Sequence, residues 1–311
     1  MRNLFARKFR YARITAVAAS VFLLVMLLNS CEKNITVNLP GVEQQFVVEG
    51  YIYEDTNAYI FVTKSTPFFS ELDSATVQKY VVRGATVTLS DGFTTDTMVE
   101  VEVPQYFLHF YYSPTIKGIV GRSYSLRVES EGMVVTATTY LPPAIPLDST
   151  WWKADGNKDS LGFAWAHLTD PDTLGNYYRW FAKRINHYTY GDHIGEQKDF
   201  DFIAPLGSTF EDKFINGKSF DFAYNRGQLA NSDKEDDGFS DERGYFKKGD
   251  TIVIKWCTYD QANFRFWRDE ESQVQSNGNP FANPSPIFGN IKGGLGVFGG
   301  YGVSYDTIIA R

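Results

Sequence analysis

The sequence predicts an all-β, mainly antiparallel protein arranged as two β-sandwich-like domains, the second carrying one packed α-helix. Through most of residues 46–141 apolar side chains recur at every second position, the period of strands that bury one face and wet the other. Turn residues such as Asp91-Gly92 and Glu131-Gly132 interrupt these runs at intervals suited to a two-layer sandwich. Aromatic residues make up 16% of the chain, a composition that fits pleated, half-buried surfaces.

The N-terminus reads as an address. Arg2, Arg7, Lys8, Arg10 and Arg13 precede an apolar run from Ile14 to Leu28, with no acid before residue 31. A basic segment followed by fifteen apolar residues has the layout of a secretory signal. It is short for a spanning helix, which needs about 20 apolar residues. Leu28-Asn29-Ser30-Cys31 then supplies an apolar residue at −3, a small one at −1 and a cysteine at +1, the pattern of a lipobox. Residues 1–30 are therefore expected to be a lipoprotein signal peptide, with Cys31 the lipidated residue. Two or more acyl chains give stable anchoring where one does not. Glu32-Lys33 follows the cysteine rather than aspartate, which favours the outer membrane, on its periplasmic or its outer face. Residues 31–45 read as a tether.

Removing residues 1–30 takes Lys plus Arg from 30 to 25 and leaves Asp plus Glu at 37, a formal charge of −12. So acidic a chain is unsuited to nucleic acid, whose binders concentrate Lys and Arg. Of the two cysteines, lipidation would use one. Cys257, inside Ile252-Val253-Ile254-Lys255-Trp256-Cys257, then reads as a small buried hydrophobe.

Residues 46–141 form the predicted N-terminal sandwich, with Ala85/Val87/Leu89, Val99/Val101/Val103, Tyr124/Leu126/Val128 and Val135/Ala137/Thr139 alternating. In Leu141-Pro142-Pro143-Ala144-Ile145-Pro146 three prolines cannot donate to a ladder, which places a domain boundary there. The second domain, 147–311, is strand-rich but less regular. Leu161, Phe163 and Trp165 share a face, with His167 continuing it as a core or edge residue. Tyr177 to Ile185 is aromatic and β-favouring, residues 190–249 suggest long loops with short strands, and Ile252, Ile254 and Trp256 resume a clear strand. The helix is expected at 261–276. Asp260 is its N-cap, Tyr259 and Phe264 form a hydrophobic staple, and Phe264, Trp267 and Val274 form its apolar stripe. Gly278 and Pro280 close it.

No catalytic, cofactor or metal site stands out. Gly294-Leu295-Gly296-Val297-Phe298-Gly299 matches G-x-G-x-x-G, but the following Gly300-Tyr301-Gly302 reads as strand, so the helix N-terminus that dinucleotide binding requires is missing. Asp233, Glu235, Asp237 and Gly238 imitate the opening of an EF-hand loop, yet position twelve is Gly244. A solvated acidic loop is the favoured reading there and a weak calcium site the other. His109, His167, His187 and His193 show no ligand spacing. Tyr106 to Tyr112 is aromatic on both faces, so one face is core and the other either core or a binding platform. Trp151-Trp152 reads as inter-domain packing, with sugar stacking the alternative.

Several separated segments carry a resemblance. They are Cys31-Glu32-Lys33 with Phe46-Val47-Val48-Glu49-Gly50, Gly84 to Leu89, Gly121 to Leu126, Gly249 to Ile252, and Asn279-Pro280-Phe281 leading to Asn290 through Phe298. Together they resemble the domain-of-unknown-function family four-two-four-nine, a group of Gram-negative outer-membrane lipoproteins. The resemblance implies a transthyretin-like or Ig-like first domain. It also implies a possible partnership with a TonB-dependent receptor, because members are often encoded beside one. The expected function is that of a non-enzymatic accessory or ligand-binding component of such an uptake system, the ligand unknown. The alternatives are a surface adhesin or scaffold, or a hydrolase, which would require carboxylates converging on one pocket.

Overall fold

A computed structural model describes residues 43–311 apart from 67–73, 105–107, 186–198, 200, 228–243 and 277–285. Cys31, the signal peptide, the Asp233–Asp237 loop, His187, His193 and the helix-closing Gly278 and Pro280 lie outside the described residues.

Strands dominate, as the period of two predicts. Eight strands make one long sheet. From one edge to the other they are β12 (Thr209–Glu211), β11 (Tyr177–Arg184), β15 (Thr251–Tyr259), β16 (Leu295–Ile309), β1 (Phe46–Tyr53), β2 (Asn57–Lys64), β6 (Leu108–Lys117) and β5 (Val99–Val103). Two smaller sheets back it. One holds β4 (Thr95–Thr97), β3 (Thr86–Ser90), β7 (Ser123–Ser130) and β8 (Met133–Tyr140); the other holds β13 (Ser219–Tyr224), β10 (Lys158–Thr169), β14 (Phe246–Lys247) and β9 (Ser149–Asp155).

The boundary expected at residues 142–146 separates two cores but not two compact units. One core gathers Phe46, Val48, Ile60, Val87, Tyr111, Tyr124 and Leu126. The other gathers Leu168, Tyr178, Trp180, Phe246, Ile254 and Trp256. The long sheet crosses between them, because β16 pairs in parallel with β1 and antiparallel with β15, and residues 43–311 form one compact unit. Proline prevents the linker from joining a ladder, as expected, but its carbonyls are still served. Thr258 donates its hydroxyl to the Pro143 carbonyl at 2.7 Å, and the Trp256 indole N–H donates to that of Ile145 at 2.9 Å. The linker thus lies flat against the long sheet.

That close approach explains the glycine motif. A Cβ on Gly300 would sit 2.5 Å from the Tyr140 carbonyl oxygen, and one on Gly302 2.6 Å from that of Pro142. On the opposite face a Cβ on Gly299 would sit 2.3 Å from the Asn263 side chain. The glycines are therefore strand residues that let backbone and helix come near.

A short helix, α1 (Ser74–Tyr80), was not foreseen; α2 runs from Gln261 to Ser276 with the expected bounds. Asp260 Oδ1 accepts the Asn263 amide at 2.9 Å, which is the cap. The apolar stripe differs from expectation: Phe264 is buried, Val274 is exposed, and the buried position one turn before it is Glu271. On β10 the face is also reversed. Ala164, Ala166 and Leu168 are fully buried, while Phe163, Trp165 and His167 are only partly covered. Ala164, Ala166 and Leu168 share the second core with Trp180 and Trp256, and Phe222 packs against it from the neighbouring strand. The outer aromatics are covered separately, Trp165 by Trp151 at 6.1 Å between ring centres and Phe163 by Tyr245 at 5.1 Å. Trp151 and Trp152 accordingly pack within the second half rather than between the halves.

Gly300→Ala should lower the unfolding free energy by about 1–3 kcal/mol through overpacking. Gly156→Ala, with nothing within 4 Å of its Cβ, should change it by less than about 0.5 kcal/mol. Urea unfolding of both variants measures this, and equal effects would refute the close-approach account.

Candidate functional site

The period of two sends alternate residues of the long sheet away from the two cores. On that outer face lie Glu49, Tyr51 and Tyr53 from β1, Tyr59 and Phe61 from β2, Tyr301 from β16, Lys255 from β15, and Arg179 and Phe181 from β11. Helix α2 stands over part of this face, and together with residues 201–206 it encloses a cavity of about 870 Å³ lined by these side chains and by Trp267, Glu270 and Glu271. Ligand pockets commonly fall between about 300 and 1,000 Å³.

Register assembles the floor. Tyr51 is opposite Tyr59 across β1–β2, Tyr53 opposite Tyr301 across β1–β16, and Phe181 opposite Lys255 across β11–β15. Tyr51 and Tyr53 lie nearly parallel, 6.2 Å apart with 6° between planes, and Tyr59 stacks on Tyr51 at 5.2 Å. The result is a tyrosine platform. Burial pushes the hydroxyls of Tyr51, Tyr53 and Tyr301 up, so they stay neutral donors and acceptors. Tyr51 donates to Glu49. Phe110, on the outer face of the aromatic stretch 106–112, meets Phe61 at 6.0 Å beside the cavity, while Tyr111 of the inner face is core.

The helix is fixed over the floor at both ends of the cavity. Trp267 donates its indole N–H to the Tyr301 hydroxyl at 2.9 Å, and Tyr301 donates to Asn263 Oδ1 at 3.3 Å. Further along, the Glu271 carboxylate accepts from the Gly207 amide at 3.0 Å and from the hydroxyls of Ser208 and Thr209 at 3.0 and 3.2 Å.

Two cations face the cavity. Arg179 is 6% exposed. Its guanidinium lies 3.8 Å from the Trp267 ring centre and 4.8 Å from that of Phe181, and its buried Nε has no hydrogen-bond partner. Lys255 donates to the Tyr53 hydroxyl at 3.0 Å and lies over that ring at 4.3 Å; burial lowers its pKa. Among the described residues neither has a carboxylate within ion-pair distance. Arg184, on the same strand but facing the core, shows the contrast: Nε and a terminal nitrogen hold Asp199 at 3.0 and 2.9 Å.

Four carboxylates also line the cavity: Glu49, Asp201, Glu270 and Glu271. Glu271 is committed to its three donors, and Asp201 and Glu49 are at the exposed rim. Burial raises the Glu270 carboxyl.

The residues singled out from sequence fall elsewhere. His109 is buried against Glu100 at 2.6 Å, and His167 meets Asp221 at 2.6 Å on the outside of β10. Cys257 is fully buried on the same face of β15 as Lys255, packed with Tyr259, Phe264 and Tyr301 beneath the helix, and burial pushes its thiol up to about 11. The cavity residues escaped notice because no spacing rule joins them. The available signal was an outward strand face bearing aromatic and charged residues, as in Glu49-x-Tyr51-x-Tyr53, Tyr59-x-Phe61 and Arg179-x-Phe181.

Glu271→Ala would orphan three donors and should cost about 2–4 kcal/mol. Val274→Ala, one turn on and 47% exposed, should cost less than about 0.5 kcal/mol. Denaturant unfolding compares them; indifference to Glu271→Ala would mean that the helix is held by other contacts.

Comparison with curated proteins finds no match. A family model described as "Domain of unknown function (DUF4249)" matches residues 32–307. That span takes in all but the last residues of the two cores and of the glycine-rich strand, and every wall of the cavity, and the chain belongs to this family.

Proposed function

We propose that this protein is a non-enzymatic, lipid-anchored binding component of the outer membrane, acting beside a TonB-dependent receptor, with the tyrosine-floored cavity as its ligand site. The observation that carries the binding role is the cavity itself. Its floor is aromatic, its helix is clamped in place, and its two cations have no carboxylate partner among the described residues. Such groups fix a ligand's orientation while ring faces supply contact area. The address rests on the lipobox at Cys31, and the receptor on the family's gene neighbourhoods. The acidic mature charge gives no electrostatic attraction to anionic headgroups, so lipid supplies the attachment.

A second reading, hydrolysis by a carboxylate pair, draws support from Glu49 and Glu270 lining one cavity. Two carboxyl groups flanking one cavity are the set that glycosidases use. Loss of glycan-cleaving activity in Glu270→Gln, with binding retained, would favour it over the first.

Metabolic labelling with a fatty-acid probe should tag the parent chain and not Cys31→Ser. Affinity purification of the parent from gently solubilised membranes should bring down a receptor β-barrel. Equal labelling of both chains removes the anchor, and repeated recovery without a barrel removes the partnership.

A further inference from the structure

Building on the cavity as a ligand site, we propose that its ligand is an acidic saccharide, whose carboxylate is held by Arg179 and Lys255 while its ring lies on the tyrosine platform. Each part of the lining restricts what can bind. Arginine and lysine are donors only, so the group that meets them must accept hydrogen bonds. Arg179 narrows this further. Trp267 and Phe181 contact its guanidinium, which leaves the edge of the planar fork as the binding surface, and that edge matches a carboxylate. A buried charge is stable when it is paired, and the chain does pair Arg184 with Asp199. Among the described residues it provides no such partner for Arg179, whose buried Nε makes no hydrogen bond.

Glu49 and Glu270 place the opposite demand. Carboxylates accept only, so a ligand lying along them must present donors. Hydroxyl groups around a ring meet that need, and the same ring offers a flat C–H face to the near-parallel Tyr51 and Tyr53. A fatty acid would bring no donor to these acceptors, and a neutral sugar would bring no charge to Arg179. A ring that carries hydroxyls and a carboxylate satisfies the whole lining.

The test uses the full chain in detergent micelles and calorimetric titration with oligosaccharides bearing glucuronate, galacturonate or N-acetylneuraminate. Each is compared with its own methyl ester, which keeps the shape and removes the charge. At least one acid should bind ten-fold or more tightly than its ester. Arg179→Met should bring that acid down to the level of the ester, and Arg179→Lys should recover part of the difference. Because no described carboxylate depends on Arg179, Arg179→Met should keep the parent's thermal unfolding midpoint, so a loss of binding is not a loss of fold. Acid and ester binding alike, Arg179→Met weakening both equally, or no acid binding at all would each overturn the assignment. Binding of the esters, or of dipeptides used as a second panel, would leave the cavity standing as a ligand site for another class. Failure of every probe, together with no co-purifying barrel, would remove the binding role as well.

Discussion

Strand β16 lies between the first strand of the described fold and a strand of its second half, and both of its faces must accept backbone or helix at close range. Its parallel ladder with β1 joins residues about 250 positions apart, from Val47 opposite Leu295 to Tyr53 opposite Tyr301. Its antiparallel ladder with β15 completes the long sheet. Without side chains at positions 300 and 302 the proline linker can lie on one face, and without one at 299 the start of α2 can lie on the other. Were these positions filled, the linker and helix would have to lift away. The two cores would lose their common sheet, and the outer face would lose its cover.

That arrangement explains which features were legible in the sequence. Local features were. The alternation through Ala85–Leu89 and Tyr124–Val128 identified strands, Asp260 and the residues after it identified a capped helix, and Gly300-Tyr301-Gly302 ruled out a dinucleotide loop. Period two says that one face of a strand is covered but not by what. On β10 the alternation placed Phe163 and Trp165 on one face; the fold turns that face outward and puts Ala164, Ala166 and Leu168 in the core beside Trp180 and Trp256. The three prolines correctly marked where strand pairing stops. They were silent on the long sheet, because a parallel pairing between the two ends of the fold leaves no short-range trace.

The site was hidden for the same reason. Its residues come from β1, β2, β11, β15, β16 and α2, and each is an ordinary strand or helix position on its own. Arg179 stood inside a stretch read only as aromatic and β-favouring. Nothing in its immediate neighbours shows that Trp267 would cover it, or that Asp199, beyond the strand's end, would be taken by Arg184 on the opposite face. Pairing in space, not composition, separates a structural arginine from a free one.

The cavity is rigid for reasons that can be traced bond by bond. Asn263 and Tyr301 tie the first turns of α2 to the sheet, and Glu271 ties its fourth turn to Gly207, Ser208 and Thr209. Between these anchors Trp267 is held by Tyr301 and in turn covers Arg179. The guanidinium is therefore oriented before any ligand arrives, and little conformational freedom is left to lose on binding. A fold selected only for stability gains little from such an arrangement, since a well-packed apolar side chain in place of a dry charge is often neutral or stabilising. If the proposed ligand is right, keeping Arg179 dry and without a carboxylate among the described residues is pre-organisation, with the charge held in fixed geometry before its partner arrives.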